Sequence, residues 1–175
     1  MTRPVLVLTG GPAVGKSTTA RALATARALA TARARAAFVD VDDVRQLVVA
    51  GGASPWQGAE GEAQALLGAH NACDLAVRFR SAGFDVVIAD VLTPATAAVY
   101  RARLAGCLIV RLHVGRAEAH RRAATRRVWL TPEEFELLHD RNGDDPPDAD
   151  HHLPADGLTV AGQVAAVEAH WAAAR

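Results

Sequence analysis

The stretch "TGGPAVGKST", residues 9–18, decides the fold of this 175-residue chain. It holds Gly10, four further residues, then Gly15, Lys16 and Ser17, which completes the pattern G-x-x-x-x-G-K-S/T. The two glycines allow backbone angles closed to other residues, so successive N–H groups can turn inward around a phosphate. The alternative is a glycine turn that only connects two elements. The complete pattern, placed between an apolar run and a helix, predicts a site for a nucleoside triphosphate.

Lys16 is the single lysine of the chain, and all its other basic residues are arginine. A compact ammonium on a flexible stem can reach the β- and γ-phosphates, and a planar guanidinium is a poor replacement. The Ser17 hydroxyl is expected to ligate Mg2+. ATP and Mg2+ are the expected cofactors, and no feature separates ATP from GTP. The predicted nucleotide site consists of Gly10, Gly11, Pro12, Ala13, Val14, Gly15, Lys16, Ser17 and Thr18.

Short apolar runs alternate with longer helical patterns along the whole chain. Runs of continuous hydrophobicity are typical of strands buried on both faces of a parallel sheet. The pattern predicts a single α/β domain over residues 1–175, with a five-stranded parallel sheet and helices on both faces. The predicted strands are 4–10, 37–41, 84–90, 107–114 and a weak strand near 151–155. The predicted helices are 16–35, 43–50, 59–82, 94–106 and 116–127, one opening at 131–134, and one after Thr159.

Composition excludes several classes of protein. Half of the residues are hydrophobic, and 19 acidic residues balance 19 basic ones, so no nucleic-acid partner is expected. The first apolar run is too short for a signal peptide, and no stretch approaches the roughly 18 apolar residues of a membrane span. We therefore expect a cytoplasmic protein without a membrane partner, and its oligomeric state stays open. Cys73 and Cys107 are expected to be free, buried thiols.

Acidic side chains are concentrated in "VDVDDVR" (39–45), directly after the second predicted strand. Phosphoryl transfer to a hydroxyl needs an anionic group that orients the acceptor. Asp42 is the candidate, and it could also cap the following helix, since the two roles can coexist. Asp43 is expected to favour the helix N-terminus electrostatically. Asp90, which ends "VVIAD" (86–90), is predicted on the metal side, with the end of a strand as its bland alternative.

The phosphate loop, "VDVDDVR", "GFDVVIAD" (83–90) and the arginine-rich segment together resemble the small P-loop kinases and phosphotransferases. The nearest groups are the chloramphenicol-phosphotransferase-like, gluconate-kinase-like and zeta-toxin-like proteins. The resemblance spans nearly the whole chain and implies the P-loop NTPase fold. In these proteins an Asp in D-x-D-(D/S/T)-h-R, where h is apolar, takes the proton of the acceptor hydroxyl. Asp42 matches that base, and the resemblance puts Asp40 and Arg45 beside the acceptor.

The resemblance also implies a small arginine-rich lid over the ATP phosphates, at about residues 116–140. Arg122 and Arg126 fit the R-x-x-x-R spacing of such lids, with Arg127 as the substitute. Two residues four apart share one face of a helix, and their charges would neutralise negative charge that spreads during transfer. The alternative is a solvated basic surface, because the five arginines of this helix cannot all be catalytic.

The segment 54–71 follows the predicted base and should form a wall of the acceptor site. Glu60, Gln64 and Asn71 fall on one face of the long predicted helix. Trp56 lies in the loop before that helix. A polar stripe beside an aromatic ring suits a hydroxylated organic molecule. The alternative is a solvent-facing stripe and a core tryptophan.

These residues predict an ATP-dependent phosphotransferase that moves the γ-phosphate to a hydroxyl of a small organic molecule, such as an antibiotic or a sugar. One alternative is a nucleoside or nucleotide kinase, which is weakened because residues 51–71 lack an arginine cluster to grip an acceptor phosphate. The other is a nucleotide-dependent switch or binding protein without transfer chemistry. Such a protein would need neither a base at Asp42 nor arginines in a lid.

Overall fold

The computed structural model describes residues 3–30, 34–125, 130–144 and 146–174. The strands are β1 (Leu6–Thr9), β2 (Ala36–Asp40), β3 (Asp85–Ala89), β4 (Leu108–His113) and β5 (His151–Pro154). The helices are α1 (Lys16–Ala30), α2 (Val41–Arg45), α3 (Gly58–Ser81), α4 (Pro94–Arg103), α5 (Arg116–Ala123), α6 (Pro132–Asp144) and α7 (Val160–Ala173). The elements follow the predicted alternation of strands and helices.

The five strands form one parallel sheet in the order β2-β3-β1-β4-β5, which confirms the predicted fold class. The first strand lies in the middle, where Leu6 pairs with Val87 on one side and with Leu108 on the other. Connections leave β1 toward one edge of the sheet and later return to the other edge. In an open parallel sheet, such a change of direction leaves a crevice at the carboxyl ends of the strands, where ligands bind.

Each face of the sheet has its own apolar core. Leu8 and Leu112 pack with the buried Trp171 on the face covered by α1 and α7. Ile88 and Tyr100 belong to the core on the opposite face, under α3 and α4. The buried side of α3 is built from small residues, which let this helix approach the sheet closely: Gly61, Ala65, Gly68, Ala69, Ala72, Cys73 and Ala76. The indole N–H of Trp171 donates to the carbonyl of Pro4 at 2.8 Å, tying α7 to the start of β1.

The short helix predicted over 43–50 is instead α2, which begins directly after β2. Asp40 caps it, because its carboxylate accepts a hydrogen bond from the backbone N–H of Asp42 at 3.2 Å. The N–H of Val48 donates to the carbonyl of Arg45, only three residues back, at 3.1 Å. That tighter spacing closes a helix. The predicted start was wrong because Asp40 both ends the strand and caps the helix, and the predicted end was wrong because α2 stops at Arg45, with Gln46 as its C-cap.

Most other boundaries agree with the predictions to within a few residues, and the helix predicted over 116–127 ends earlier, at Ala123. The weak fifth strand forms as β5, and α7 begins after Thr159, whose hydroxyl accepts from the N–H of Gly162 at 3.1 Å. The helix predicted over 16–35 is α1, which is helical as far as Ala30, and residues 31–33 lie outside the described ranges. Residues 34–35 are not helical, so the predicted end was wrong.

Two further findings bear on the class of protein. Cys73 and Cys107 are both free and buried, as predicted, and burial raises the pKa of the Cys73 thiol to about 11. In the part of the chain that the structure describes, no helix combines the length and the apolar character needed to cross a membrane.

Candidate active site

The loop between β1 and α1 has the backbone shape of an anion cradle. Gly10 and Gly15 have φ angles of 142° and 101°, and Ala13 has a φ of 59°, which is uncommon for a residue with a side chain. Left-handed residues among right-handed ones turn successive N–H groups toward one anion. A Cβ atom on Gly10 would lie 2.2 Å from the carbonyl oxygen of Leu112, so the loop can rest on β4 only with glycine there. The residues therefore fit a nucleotide phosphate.

Lys16 opens α1, and its Nζ lies 3.5 Å from the carbonyl oxygen of Gly11. The side chain thus curls back over the loop, which is where an ammonium would meet phosphate oxygens. The helix continues from the loop without a break, since the N–H of Thr19 donates to the carbonyl of Gly15 at 2.9 Å. The Thr19 hydroxyl also donates to the buried Gln163 of α7 at 2.8 Å, which anchors the start of α1.

Arg122 of α5 is in direct contact with the phosphate loop. Its guanidinium donates from Nη1 to the carbonyl of Val14 at 2.9 Å and from Nη2 to the carbonyl of Ala155, after β5, at 2.6 Å. Its Nε donates to Glu118 at 2.6 Å. Arg121 and Arg122 together lower the pKa of Glu118 to about 2. The structure thus brings one predicted lid arginine to the phosphate site and holds it with a carboxylate.

The rest of the expected lid pairs α5 with α6. Glu136 of α6 accepts from Arg116 at 2.7 Å, and its other carboxylate oxygen lies 2.7 Å from Nε2 of His120. These groups are largely exposed, and exposed ion pairs stabilise a fold little. Arg126 and Arg127 lie outside the described residues, so the paired-arginine spacing stays a prediction.

Asp40 lies beside Ser17 rather than standing free for an acceptor. Burial raises the pKa of the Asp40 carboxyl, the hydrogen bond with the Ser17 hydroxyl opposes that shift, and the nearby charge of Asp42 adds to it. A hydroxyl next to a carboxylate provides the two kinds of oxygen that Mg2+ accepts from protein, with water completing its shell. No cluster of three or more His, Cys, Asp or Glu side chains suited to a metal occurs among the described residues. A Mg2+ site at this edge would therefore use few protein ligands.

Asp90 has a setting that does not favour its predicted role as a metal ligand. It is fully buried, and one carboxylate oxygen accepts from Arg45 at 2.8 Å while the other accepts from the Tyr100 hydroxyl at 2.9 Å. Burial raises the pKa of Asp90, and the charge of Arg45 and the hydrogen bond from Tyr100 oppose that shift. Both oxygens are thus engaged by protein donors, and Asp90 acts in this structure as the anchor of an arginine.

Arg45 connects that buried anchor to the predicted base. The same guanidinium that contacts Asp90 donates from Nη1 to Asp42 at 3.0 Å. Exposure differs sharply along this chain of ion pairs, from 0% for the Asp90 side chain through 19% for Arg45 to 61% for Asp42. Gly68 of α3 makes room for the arginine, because a Cβ there would lie 3.2 Å from its Nε. Asp42 is therefore a solvent-facing carboxylate whose partner, Arg45, is fixed by the buried carboxylate of Asp90.

The predicted acceptor wall is partly assembled. The Gln64 amide donates to Glu60 at 2.7 Å and to the carbonyl of Gly51 at 2.8 Å, and its oxygen accepts from the N–H of Ala53 at 2.9 Å. Gln64 thus fixes the preceding loop onto α3. Asn71 is exposed two turns further along the same helix. The structure brings Glu60 and Gln64 together and leaves Asn71 apart from their contacts.

Trp56 is neither a core residue nor a free surface ring. It is half-buried, and its indole N–H donates to Glu134 at 3.1 Å. Glu134 also closes a capping box at the start of α6, where it exchanges hydrogen bonds with Thr131. The loop before α3 therefore contacts the first turn of α6.

Sequence reasoning missed a cavity of about 170 Å³ beside Gly11, between β4 and α6. Its polar lining consists of Arg111, His113, His139 and Asn142. A signal for it existed in "CLIVRLHV" (107–114), where an arginine interrupts an apolar run that predicts a buried strand. A buried strand rarely carries a charge that nothing compensates.

The sheet order, with a phosphate loop at the carboxyl end of its central strand, defines the fold of the small P-loop kinases. The chain is similar over nearly its whole length to a sugar kinase from Janibacter sp. HTCC2649, with a TM-score of 0.72, 14% identity and coverage of 99% of this chain and 96% of that one. A gluconokinase from Sinorhizobium meliloti 1021 gives a TM-score of 0.65 and 17% identity, covering 99% and 94%. An APS kinase from Mycobacterium tuberculosis, solved with AMPPNP and APS, gives a TM-score of 0.63 and 18% identity, covering 97% and 98%.

Comparisons of the amino-acid sequence alone identify no relative of this chain. No family model matches the chain, and no curated protein matches it. The structural neighbours are small P-loop kinases, and at these identities the likeness establishes the fold.

Proposed function

We propose that this protein is a kinase that transfers the γ-phosphoryl group of ATP to a hydroxyl of a small organic molecule. One observation carries the proposal: a solvent-facing carboxylate, Asp42, is held by the buried pair of Arg45 and Asp90. It follows β2, so it lies at the same carboxyl edge of the sheet as the phosphate loop. A nucleotide switch needs the loop but has no use for an anchored base. Likeness to a sugar kinase and a gluconokinase supports a small acceptor.

In this proposal Asp42 orients the acceptor hydroxyl and accepts its proton while the acceptor oxygen attacks phosphorus and the bond to ADP breaks. Lys16 and Arg122 supply positive charge at the phosphate loop, and Arg126 is proposed as the second lid arginine. Their role is to meet negative charge that grows during transfer, so they should affect the rate more than nucleotide affinity.

Ser17 and Asp40 are proposed as the protein oxygens of the Mg2+ site, with Asp40 taking the role first expected of Asp90. The closeness of the two side chains, through which Ser17 acts to lower the pKa of Asp40, supports this choice. The magnesium nucleotide supplies the phosphoryl group, and its metal charge offsets that of the phosphates. The APS kinase with the same fold binds AMPPNP, which supports a nucleotide at the loop.

The acceptor is proposed to bind between α3 and the lid helix α6. Trp56 supports this placement because its indole joins the loop before α3 to Glu134 of α6. Glu60 and Gln64 would present hydrogen-bonding groups on the α3 side, and Asn71 stays a candidate further along that helix.

The test is ADP release by the purified protein with Mg-ATP, measured against a panel of sugars, sugar acids and hydroxylated antibiotics. We expect one chemical class to stimulate release and mass spectrometry to show the acceptor carrying one added phosphate. The Lys16→Ala variant serves as the blank for contaminating kinases. Tight ATP binding with no acceptor-dependent release across the whole panel would favour the switch and reject a kinase.

A further inference from the structure

Arg111 lies in the middle of the sheet's apolar core strand β4 and points its guanidinium into the cavity beside Gly11. It donates from Nε and Nη2 to the side-chain oxygen of the buried Asn142, at 3.3 and 3.2 Å, and from Nη2 to the backbone carbonyl of the same residue. Asn142 thus holds the arginine in place by neutral groups only.

Two other half-buried arginines have acidic partners. Arg101 pairs with Asp150 at 2.9 Å and Arg45 with Asp90 at 2.8 Å. The contacts that hold Arg111 are those with the amide oxygen and the backbone carbonyl of Asn142. Burial lowers the pKa of Arg111, which means that its surroundings disfavour the charge. A cation in this setting is stabilised by an incoming anion, and the guanidinium fork matches the two oxygens of a carboxylate or phosphate.

The size and place of the cavity limit what can enter. A volume of about 170 Å³ is ample for one anionic group together with ordered water, since a water molecule takes ~30 Å³. The cavity abuts the phosphate loop, because the Cβ of Asn142 lies 3.7 Å from where a Cβ on Gly11 would be. The rings of His113 and His139 also line it and can donate hydrogen bonds to the same group.

We propose that this cavity is a subsite for an anionic group of the acceptor, a carboxylate or a phosphate, which Arg111 binds with help from His113 and His139. The acceptor of the kinase is then a hydroxylated acid or a phosphate ester rather than a neutral alcohol. The assignment of the anion to the acceptor rests on the proposed function. Anion binding at the cavity can be tested without measuring phosphoryl transfer.

The test uses inorganic phosphate and acetate as separate probes. Each is titrated by calorimetry into wild-type protein saturated with Mg2+ and AMPPNP, so that the phosphate loop is already filled. We expect saturable binding of at least one probe. Arg111→Gln should weaken it by about ten- to a hundred-fold, the loss typical of a charge-assisted hydrogen bond. Binding of phosphate alone would indicate a phosphorylated acceptor, and binding of acetate as well would indicate a carboxylic acid.

A second variant covers the case in which Arg111→Gln fails to fold. Asn142→Asp puts a carboxylate on the arginine fork, so it should abolish probe binding while the melting temperature stays equal or rises. Arg103→Gln is the matched control, because Arg103 makes an exposed pair with Asp74 on the outer surface of α4, and it should bind the probes like wild type.

Two results would overturn the inference. Equal probe binding in wild type and Asn142→Asp would show that the anion does not use Arg111. Weaker AMPPNP binding in Arg111→Gln, with no bound probe in wild type, would assign the cavity to the nucleotide. Failure of the kinase proposal is distinct from both: it would appear as missing transfer to every acceptor while the anion titration still depends on Arg111.

Discussion

Replacing Arg45 with glutamine should destabilise the protein by about 3–5 kcal/mol, because Asp90 would remain as a buried charge without its ion-pair partner. The carboxylate of Asp90 has no exposed surface, and the guanidinium of Arg45 is 2.8 Å away. The Tyr100 hydroxyl, at 2.9 Å, stays in place but brings no full charge. For a chain of this length the loss corresponds to a drop of roughly 6–20 °C in melting temperature.

The same reasoning predicts only a small loss of stability when an exposed ion pair is removed. Arg103 and Asp74 lie 2.6 Å apart, closer than Arg45 and Asp90, but their side chains are 37% and 58% exposed. Solvent screens such a pair, so Arg103→Gln should cost about 1 kcal/mol or less. The contrast between the two arginine variants isolates burial from distance, since the shorter contact belongs to the weaker pair.

The assay is urea unfolding of wild type, Arg45→Gln, Asp90→Asn, the double variant and Arg103→Gln. The double variant should be more stable than Arg45→Gln, because the neutral amide removes the uncompensated charge. Destabilisation in Arg45→Gln should also shrink as the pH falls, since burial raises the pKa of Asp90 and protonation removes the buried charge. Arg45→Gln should lower kcat as well, because Asp42 loses its anchor.

The reasoning fails if Arg45→Gln and Arg103→Gln lose the same stability. Equal losses would mean that water reaches Asp90 or that its carboxyl is neutral at working pH. The argument that Asp42 is held by a buried pair would fail with it.

Three further predictions use other groups. Asp42→Asn should lower kcat by on the order of 10² to 10⁴-fold, with the melting temperature and the ATP affinity nearly unchanged. Asp43 is the exposed neighbour of Asp42, and Asp43→Asn should keep the rate. The reverse pattern would assign the base to Asp43. Lys16→Arg and Lys16→Ala should both abolish ADP release, and normal turnover in either would remove the phosphate-loop assignment. Burial and the charge of His151 lower the pKa of His170. Below about pH 6.5 the unfolded chain therefore binds more protons than the folded one, and the free energy of unfolding should fall as the pH falls. His170→Asn should flatten that fall in urea titrations, and an unchanged slope would count against the coupling.

Local patterns were enough to predict the phosphate loop and the class of sheet. The glycine spacing around Lys16 has one structural solution between a strand and a helix, and continuous apolar runs identify strands covered on both faces. The capping signals also act within a few residues, so Thr159 and Thr131 marked the starts of α7 and α6 correctly.

The site could be predicted only in part, because its contacts join distant segments. The sequence offered Asp42 as the helix cap, but the cap is Asp40, because the cap depends on where β2 ends, which is set by pairing of Asp40 with Ala89. The partner of Asp90 is Arg45, which lies 45 residues earlier in the chain. No pattern within either segment announces that ion pair. The surroundings of Arg111 also could not be predicted, because its partner Asn142 belongs to α6, a helix distant from β4 in sequence.

The central position of β1 has a consequence for synthesis on the ribosome. Leu6 pairs with Val87 and Leu108, so the first strand made is among the last to gain both neighbours. At 5–20 residues per second, about 5–20 s separate the synthesis of β1 from that of β4. All four residues of β1 are buried in the finished protein, so during this interval the nascent chain carries an apolar strand with at least one open edge. A pause in translation before β4 is complete would lengthen that exposure, and a slower ribosome should therefore increase aggregation of this protein rather than improve its yield.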